Sequence, residues 1–246
     1  MTLNTKAANH KDRICLALDL HNENQILQAV DQFMDLVGYF KLNSAFTLFG
    51  PDLVQKIRSR GAKVFLDLKL HDIPNTLSGY GEAVVLLGIQ IVTVHISGGS
   101  EMLIEFVRSV NAASVKFGIP RPKLIGITVL TSIGETVLNN QLGIRGSVAE
   151  EVLRKAQLAA DAGLDGIVSS VGELGIVKRS LRSDFFYVTP GVRPNGAAHD
   201  DHQRVYAYED AAREGSDLLV VGRSVLNAKN PRAAMAEIHQ ALGISK

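Results

Sequence analysis

The sequence predicts an α/β protein folded as a single (β/α)8 TIM barrel, and three observations lead there. The chain has 246 residues, which matches the roughly 250 over which such a barrel runs as one domain. Short apolar runs alternate with longer amphipathic segments, the βαβ rhythm of a parallel sheet covered on both faces. Polar residues fall at alternate positions toward the C-terminal ends of several runs, where barrel enzymes carry their sites. An open doubly wound sheet is the runner-up and would gather ligands at one switch point instead.

In chain order the eight runs lie near residues 14–19, 38–43, 63–69, 90–96, 123–130, 165–169, 185–189 and 217–221, and no linker or low-complexity tract divides them. In the first, Cys15, Ala17 and Asp19 share one face; in the second, Tyr39, Lys41 and Asn43 do. The next helix has Pro51 near its start and Gly61 at its close, the usual punctuation of helix ends.

The third run is the most informative. Val64, Leu66, Leu68 and Leu70 alternate with Phe65, Asp67, Lys69 and His71, so a period of two sets four aliphatic residues against a polar row. A self-neutralising Asp/Lys pair on a surface strand is the bland reading. The flanking leucines require burial, however, and buried charges are costly unless paired, so the row reads as a site. Asp72, five residues beyond Asp67, lies up to ~17 Å along an extended chain and leaves its own barrel centre. Ile73-Pro74-Asn75-Thr76 then reads as a turn into a helix, with Asn75 or Thr76 as the N-cap.

In the fourth run Thr93, His95 and Ser97 share a face, and His95 reads as a hydrogen-bonded interior histidine. A helix from about Ser100 ends at Gly118, ahead of Pro120 and Pro122. Gly163 and Gly215 each close an alanine-rich helix just before an aspartate that opens the next strand. After the seventh and eighth runs come Thr189-Pro-Gly-Val-Arg193-Pro and Val221-Gly222-Arg223-Ser224. Loops at those two positions offer backbone N–H groups and arginines to a phosphate. Between them Asn195 to Arg204 is a polar loop long enough to fold over a ligand. Its His199, Asp200, Asp201 and His202 are metal-ligand types, but adjacency on one loop does not make a metal site, and none is predicted.

Asp19, Lys41, Asp67 and Lys69 thus converge at one mouth as alternating acids and bases. Each favours the charged form of its neighbour, so Lys69 is expected to be a protonated acid and not a Schiff-base amine. The net charge of +1 is evenly scattered, which leaves no basic stripe for nucleic acid or anionic lipid. One cysteine, Cys15, excludes an internal disulfide. The apolar stretch Ala83 to Ile96 is broken by Gln90 and Thr93 and is too short for a membrane span. With a polar start that lacks a signal-peptide core, the protein is expected to be soluble and cytoplasmic.

These residues resemble the orotidine 5′-phosphate decarboxylase family in its bacterial form. The likeness rests on Ala-Leu-Asp19, Lys41, Asp67-Leu-Lys69-Leu-His-Asp72-Ile73-Pro-Asn-Thr76, Leu-Thr131-Ser132, Pro190-Gly-Val-Arg193-Pro and Val-Gly222-Arg223-Ser. It covers nearly the whole chain, leaving residues 13–246 as the catalytic barrel and 1–12, without a counterpart in the motifs, as a disordered tail. The resemblance implies cofactor-independent conversion of orotidylate to UMP and CO2, with Lys69 as proton donor and Asp67 facing the substrate carboxylate. Asp19 and Lys41 would bind the ribose hydroxyls, Thr131 the pyrimidine, and Arg193, Gly222 and Arg223 the phosphate. Gln203 would bridge phosphate and base. Asp72, Ile73 and Thr76 are similar to residues that complete the site across a homodimer. Two alternatives stand beside it: a related Mg²⁺-dependent barrel, such as a 3-keto-gulonate 6-phosphate decarboxylase or hexulose-phosphate synthase, and a non-catalytic nucleotide-binding barrel.

Overall fold

The computed structural model describes residues 10–194 and 206–243. Its strands are β1 (Ile14–Ala17), β2 (Tyr39–Leu42), β3 (Val64–Leu70), β4 (Ile91–His95), β5 (Lys123–Ile127), β6 (Gly166–Val168), β7 (Phe186–Thr189), β8 (Val192–Arg193), β9 (Tyr206–Ala207) and β10 (Leu218–Val221). Eight of them, all parallel, close into a barrel in the order β1-β10-β7-β6-β5-β4-β3-β2, while β8 and β9 pair only with each other. The predicted barrel is therefore observed. Most strands are somewhat shorter than expected; β1 ends at Ala17 and β5 at Ile127, and the chain beyond each lines the barrel mouth.

The helices are α1 (Glu23–Phe33), α2 (Ser44–Arg58), α3 (Pro74–Leu86), α4 (Gly99–Phe117), α5 (Glu135–Asn140), α6 (Val148–Asp161), α7 (Val171–Ser180), α8 (Tyr208–Arg213), α9 (Arg223–Leu226) and α10 (Pro231–Ala241). Strand parity separates two cores. Cys15, Phe65, Ile91, Ile125, Val188 and Leu218 point inward and fill the barrel, whereas Leu16, Phe40, Leu66, Val92, Leu124, Ile167 and Leu219 point outward under the helices. The repeated glycine–aspartate joints have a structural use. Gly163 and Gly215 take φ 85° and 78°, which ends each helix. The aspartate two residues on accepts a backbone N–H from the neighbouring strand, Asp165 from Leu124 at 2.7 Å and Asp217 from Tyr187 at 2.9 Å.

Three local expectations are corrected. Helix α2 begins at Ser44, and Pro51 opens only its second part, beyond a break at Gly50 (φ 62°, ψ −156°). Neither Asn75 nor Thr76 caps α3: Ile73 is the N-cap and Pro74 the first helical residue, because proline's missing N–H costs nothing there. Residues 10–12, assigned to the tail, belong to a 3-10 helix His10–Arg13, whose Asp12 pairs with Lys63 at 3.0 Å. Residues 1–9 lie outside the described residues. Among the described residues, no helix is long and apolar enough to cross a membrane.

Candidate active site

The C-terminal ends of the barrel strands enclose a cavity of about 420 Å³, within the range of small-molecule sites. Its floor is the predicted row of charges. Lys41 Nζ lies 3.6 Å from Asp19 Oδ1 and 3.3 Å from Asp67 Oδ2, and Lys69 Nζ donates to the same Asp67 oxygen at 2.8 Å. The other Asp67 oxygen accepts the Thr93 hydroxyl at 2.8 Å. Lys41 and Asp67 are buried, at 8% and 7% exposure. Burial works against both charges, but the opposite charges outweigh it. Asp67 and Asp19 hold the Lys41 pKa above its ordinary value, and Lys41, Lys69 and their hydrogen bonds hold Asp67 below the usual carboxylate range. Beneath them, burial pushes the Cys15 thiol far up, which leaves it protonated and inert.

Lys69 reaches this row by a route that strict alternation does not describe. Strand β3 pairs with β4 at Leu66↔Val92 and again at Leu70↔Val94, so three residues of β3 oppose the single residue Thr93. Lys69 takes φ 50° in this bulge, a left-handed conformation costing a non-glycine residue roughly 1–2 kcal/mol. Thr93 holds it there by accepting the Lys69 backbone N–H at 2.9 Å, while its own hydroxyl bonds Asp67. Bulges of this kind re-aim side chains beside active sites. His71, expected in the same polar row, does not join it. It is exposed, with its ring centroid 5.5 Å from that of His95. His95 is half-buried, and its pKa is lowered to about 4 by burial, His71, Lys155 and Lys69, against Asp67.

The opposite wall comes from the seventh and eighth barrel strands. After β7, Pro190, Gly191 (φ 72°) and Arg193 line the cavity; after β10, Gly222, Arg223 and Ser224 do. Thr131, from the segment after β5, lines it as well. The structure thus gathers Asp19, Lys41, Asp67, Lys69, Thr131, Arg193, Gly222 and Arg223 around one cavity. It does not bring Asp72, Ile73 or Thr76 there. Asp72 is exposed, its carboxylate accepting the Ile73 N–H at 2.7 Å, and Ile73 is 65% exposed. Gln203 lies outside the described residues.

Sequence reasoning places Thr93 on an inward face without giving it a role; its position opposite a bulge is invisible to periodicity. Asn43, Phe65, Val168, Ser169 and Ser170 also line the cavity. Their inward parity is available in the sequence, but their residue types are not distinctive.

The Orotidine 5′-phosphate decarboxylase / HUMPS family model matches residues 12–238. The chain is 40% identical over 229 residues to the orotidine 5′-phosphate decarboxylase of Moorella thermoacetica, covering 93% of this chain and 91% of that protein. It is 41% identical over 236 residues to the enzyme of the same name from Syntrophus aciditrophicus, covering 94% of each. Among solved structures, orotidine 5′-phosphate decarboxylase from Lactobacillus acidophilus superposes with a TM-score of 0.82 at 36% identity, over 94% of this chain and 99% of that one.

Proposed function

The chain belongs to the orotidine 5′-phosphate decarboxylase / HUMPS family, and from that premise we propose that it decarboxylates orotidine 5′-monophosphate to UMP in pyrimidine biosynthesis. One observation carries the reading: an Asp19–Lys41–Asp67–Lys69 row, buried at Lys41 and Asp67, faces an arginine- and glycine-bearing wall across a single cavity. A nucleotide spans such a site with its phosphate on Arg193, Gly222 and Arg223, its ribose hydroxyls on Asp19 and Lys41, and its base toward Thr131. Gln203 belongs to the same reading as the bridge between phosphate and base.

Loss of CO2 from C6 leaves electron density in the plane of the ring, and the reaction we propose uses no cofactor to spread it. A fixed cation beside C6 is then the largest available stabilisation. Lys69 supplies it and afterwards delivers its proton to C6. Its geometry supports this role, because Asp67 and the Thr93-braced bulge hold the ammonium before substrate arrives. Asp67 faces the departing carboxylate; repulsion there is a weaker term than the cation. The Mg²⁺-dependent reading fits less well, since Lys41 Nζ stands between Asp19 and Asp67 where a shared divalent ion would sit.

We also place Asp72, Ile73 and Thr76 in the site of a partner subunit, within a cytoplasmic homodimer. In support, Asp72 is exposed and outside its own cavity lining, and an apolar Ile73 faces outward beside it. The activity is tested by following ultraviolet absorbance after adding orotidylate, with and without EDTA. Turnover unaffected by EDTA is expected; UMP binding without turnover, or loss of turnover with EDTA, overturns the reading. For the shared site, exchanging subunits between inactive Lys69→Ala and Asp72→Ala dimers leaves one intact site per heterodimer. Recovery of roughly a quarter of wild-type activity is expected from a two-fold dimer, and no recovery refutes the sharing.

A further inference from the structure

One charged group near the cavity belongs to none of the roles above. Lys155, on α6, is buried at 6% exposure, and it lies behind the barrel wall instead of in the cavity lining. Its ammonium donates to the Ser97 hydroxyl at 2.8 Å and to the Thr128 carbonyl at 3.0 Å, with Glu151 one turn earlier on α6 at 3.5 Å. Burying a lysine costs free energy that an apolar side chain would not, so what it holds is informative.

Both partners are strand exits. Ser97 lies in the 3-10 helix Ile96–Gly98, which leaves β4. Thr128 immediately follows β5 and is tied on a second side, its hydroxyl donating to the Val168 carbonyl of β6 at 2.7 Å. From this corner the chain continues as Val129, Leu130 and Thr131, three consecutive lining residues of the cavity. The Ser97 turn is packed in its own right: a Cβ on Gly98 would meet the Met102 sulfur at 2.1 Å and the His71 ring at 3.2 Å. Lys155 therefore joins a firmly seated β4 exit to the start of the cavity's 129–131 wall.

We propose that Lys155 is a positioning residue that sets the place of the 129–131 segment and thereby the affinity of the site for the pyrimidine ring, but not for the ribose phosphate. This rests on the nucleotide reading above, with Thr131 at the base. Replacing the ammonium leaves the Thr128 carbonyl without its buried donor and lets the corner shift, while Arg193, Gly222 and Arg223, on other elements, stay where they are.

The test compares Lys155→Met with wild type in binding UMP and ribose 5-phosphate, which lacks the base, alongside a thermal melt. UMP binding is expected to weaken at least tenfold, and ribose 5-phosphate binding to stay within twofold. Thr128→Val removes the second tie of the same corner without touching the buried lysine. It should give the same split more weakly, and it serves where Lys155→Met does not fold. Equal weakening of both ligands marks general damage and overturns the proposal, as does unchanged UMP binding in Thr128→Val together with a folded Lys155→Met. Failure of wild type itself to bind UMP would instead bring down the nucleotide reading, and this inference with it.

Discussion

The floor and the wall of the cavity are built on opposite principles. On the floor, Lys41 and Asp67 are buried, and the four charges of the row touch in sequence within 3.6 Å, so the two buried members are held by each other. On the wall, Arg223 is exposed and projects from glycine-containing turns whose backbone is shaped for close approach. Fixed charges that cost nothing to reorganise suit a reaction that creates charge. An exposed arginine suits the capture of a phosphate far from the reacting atom, whose binding energy serves to hold the rest of the substrate in place. The difference predicts that floor changes act on kcat and wall changes on KM.

The largest effect is expected from Lys69→Ala, which removes both the cation and the proton. Its kcat should fall by about 10⁴-fold or more with the fold intact by circular dichroism. Near wild-type turnover would dismiss Lys69 as the proton donor and erase the floor's distinct role. Thr93→Val comes next. It withdraws a hydrogen bond from a buried carboxylate, typically about 1.5–3 kcal/mol, and the acceptor that steadies the Lys69 bulge, so kcat should drop roughly 10- to 100-fold with KM little changed. A rise in KM alone would show that the bulge serves binding instead. On the wall, Arg223→Ala should raise KM for orotidylate by about tenfold through loss of a charge-assisted contact. The phosphate-free nucleoside orotidine sharpens this: wild type and Arg223→Ala should process it equally slowly, and a difference between them would mean that Arg223 does more than grip phosphate.

The same contrast bears on what is legible in the sequence. The barrel is readable because burial on both faces of a parallel strand leaves a run that few other structures need, and the joints at Gly163-Leu-Asp165 and Gly215-Ser-Asp217 repeat the signal. The floor is readable in composition, since burying Asp67 and Lys69 among leucines is too costly to persist without paired charges. Its geometry is not. Periodicity assumes a regular strand, and a bulge set by the register of β3 on β4 comes from pairing between segments far apart in the chain. For that reason strict alternation groups His71 with Lys69 and leaves Thr93 as one more inward residue. Asn75 and Thr76 suggest a cap because both residue types favour that position; proline's equally strong preference for the first helical position prevails, moving the cap back to Ile73.

The smallest effect concerns pH, and it sets the pinned charges of the floor against a half-buried histidine outside them. Lys41 has a folded pKa above its unfolded value, so its stabilising contribution is complete below ~10.4 and is lost only as pH rises through the folded value. Asp67 is depressed, so its contribution is complete above ~3.9 and is lost as pH falls through the folded value. Neither titrates near neutrality. His95, half-buried beside His71, differs: its folded value of about 4 lies below the ordinary 6.5. In that window the unfolded chain takes up a proton that the folded protein refuses, so stability declines as pH falls from 6.5 toward 4. Thermal melts should show Tm falling over that range in wild type and falling less in His95→Gln. An equal slope in the two proteins would mean that the acid sensitivity arises elsewhere than at His95, whose low value comes first from its burial and then from His71 and Lys155.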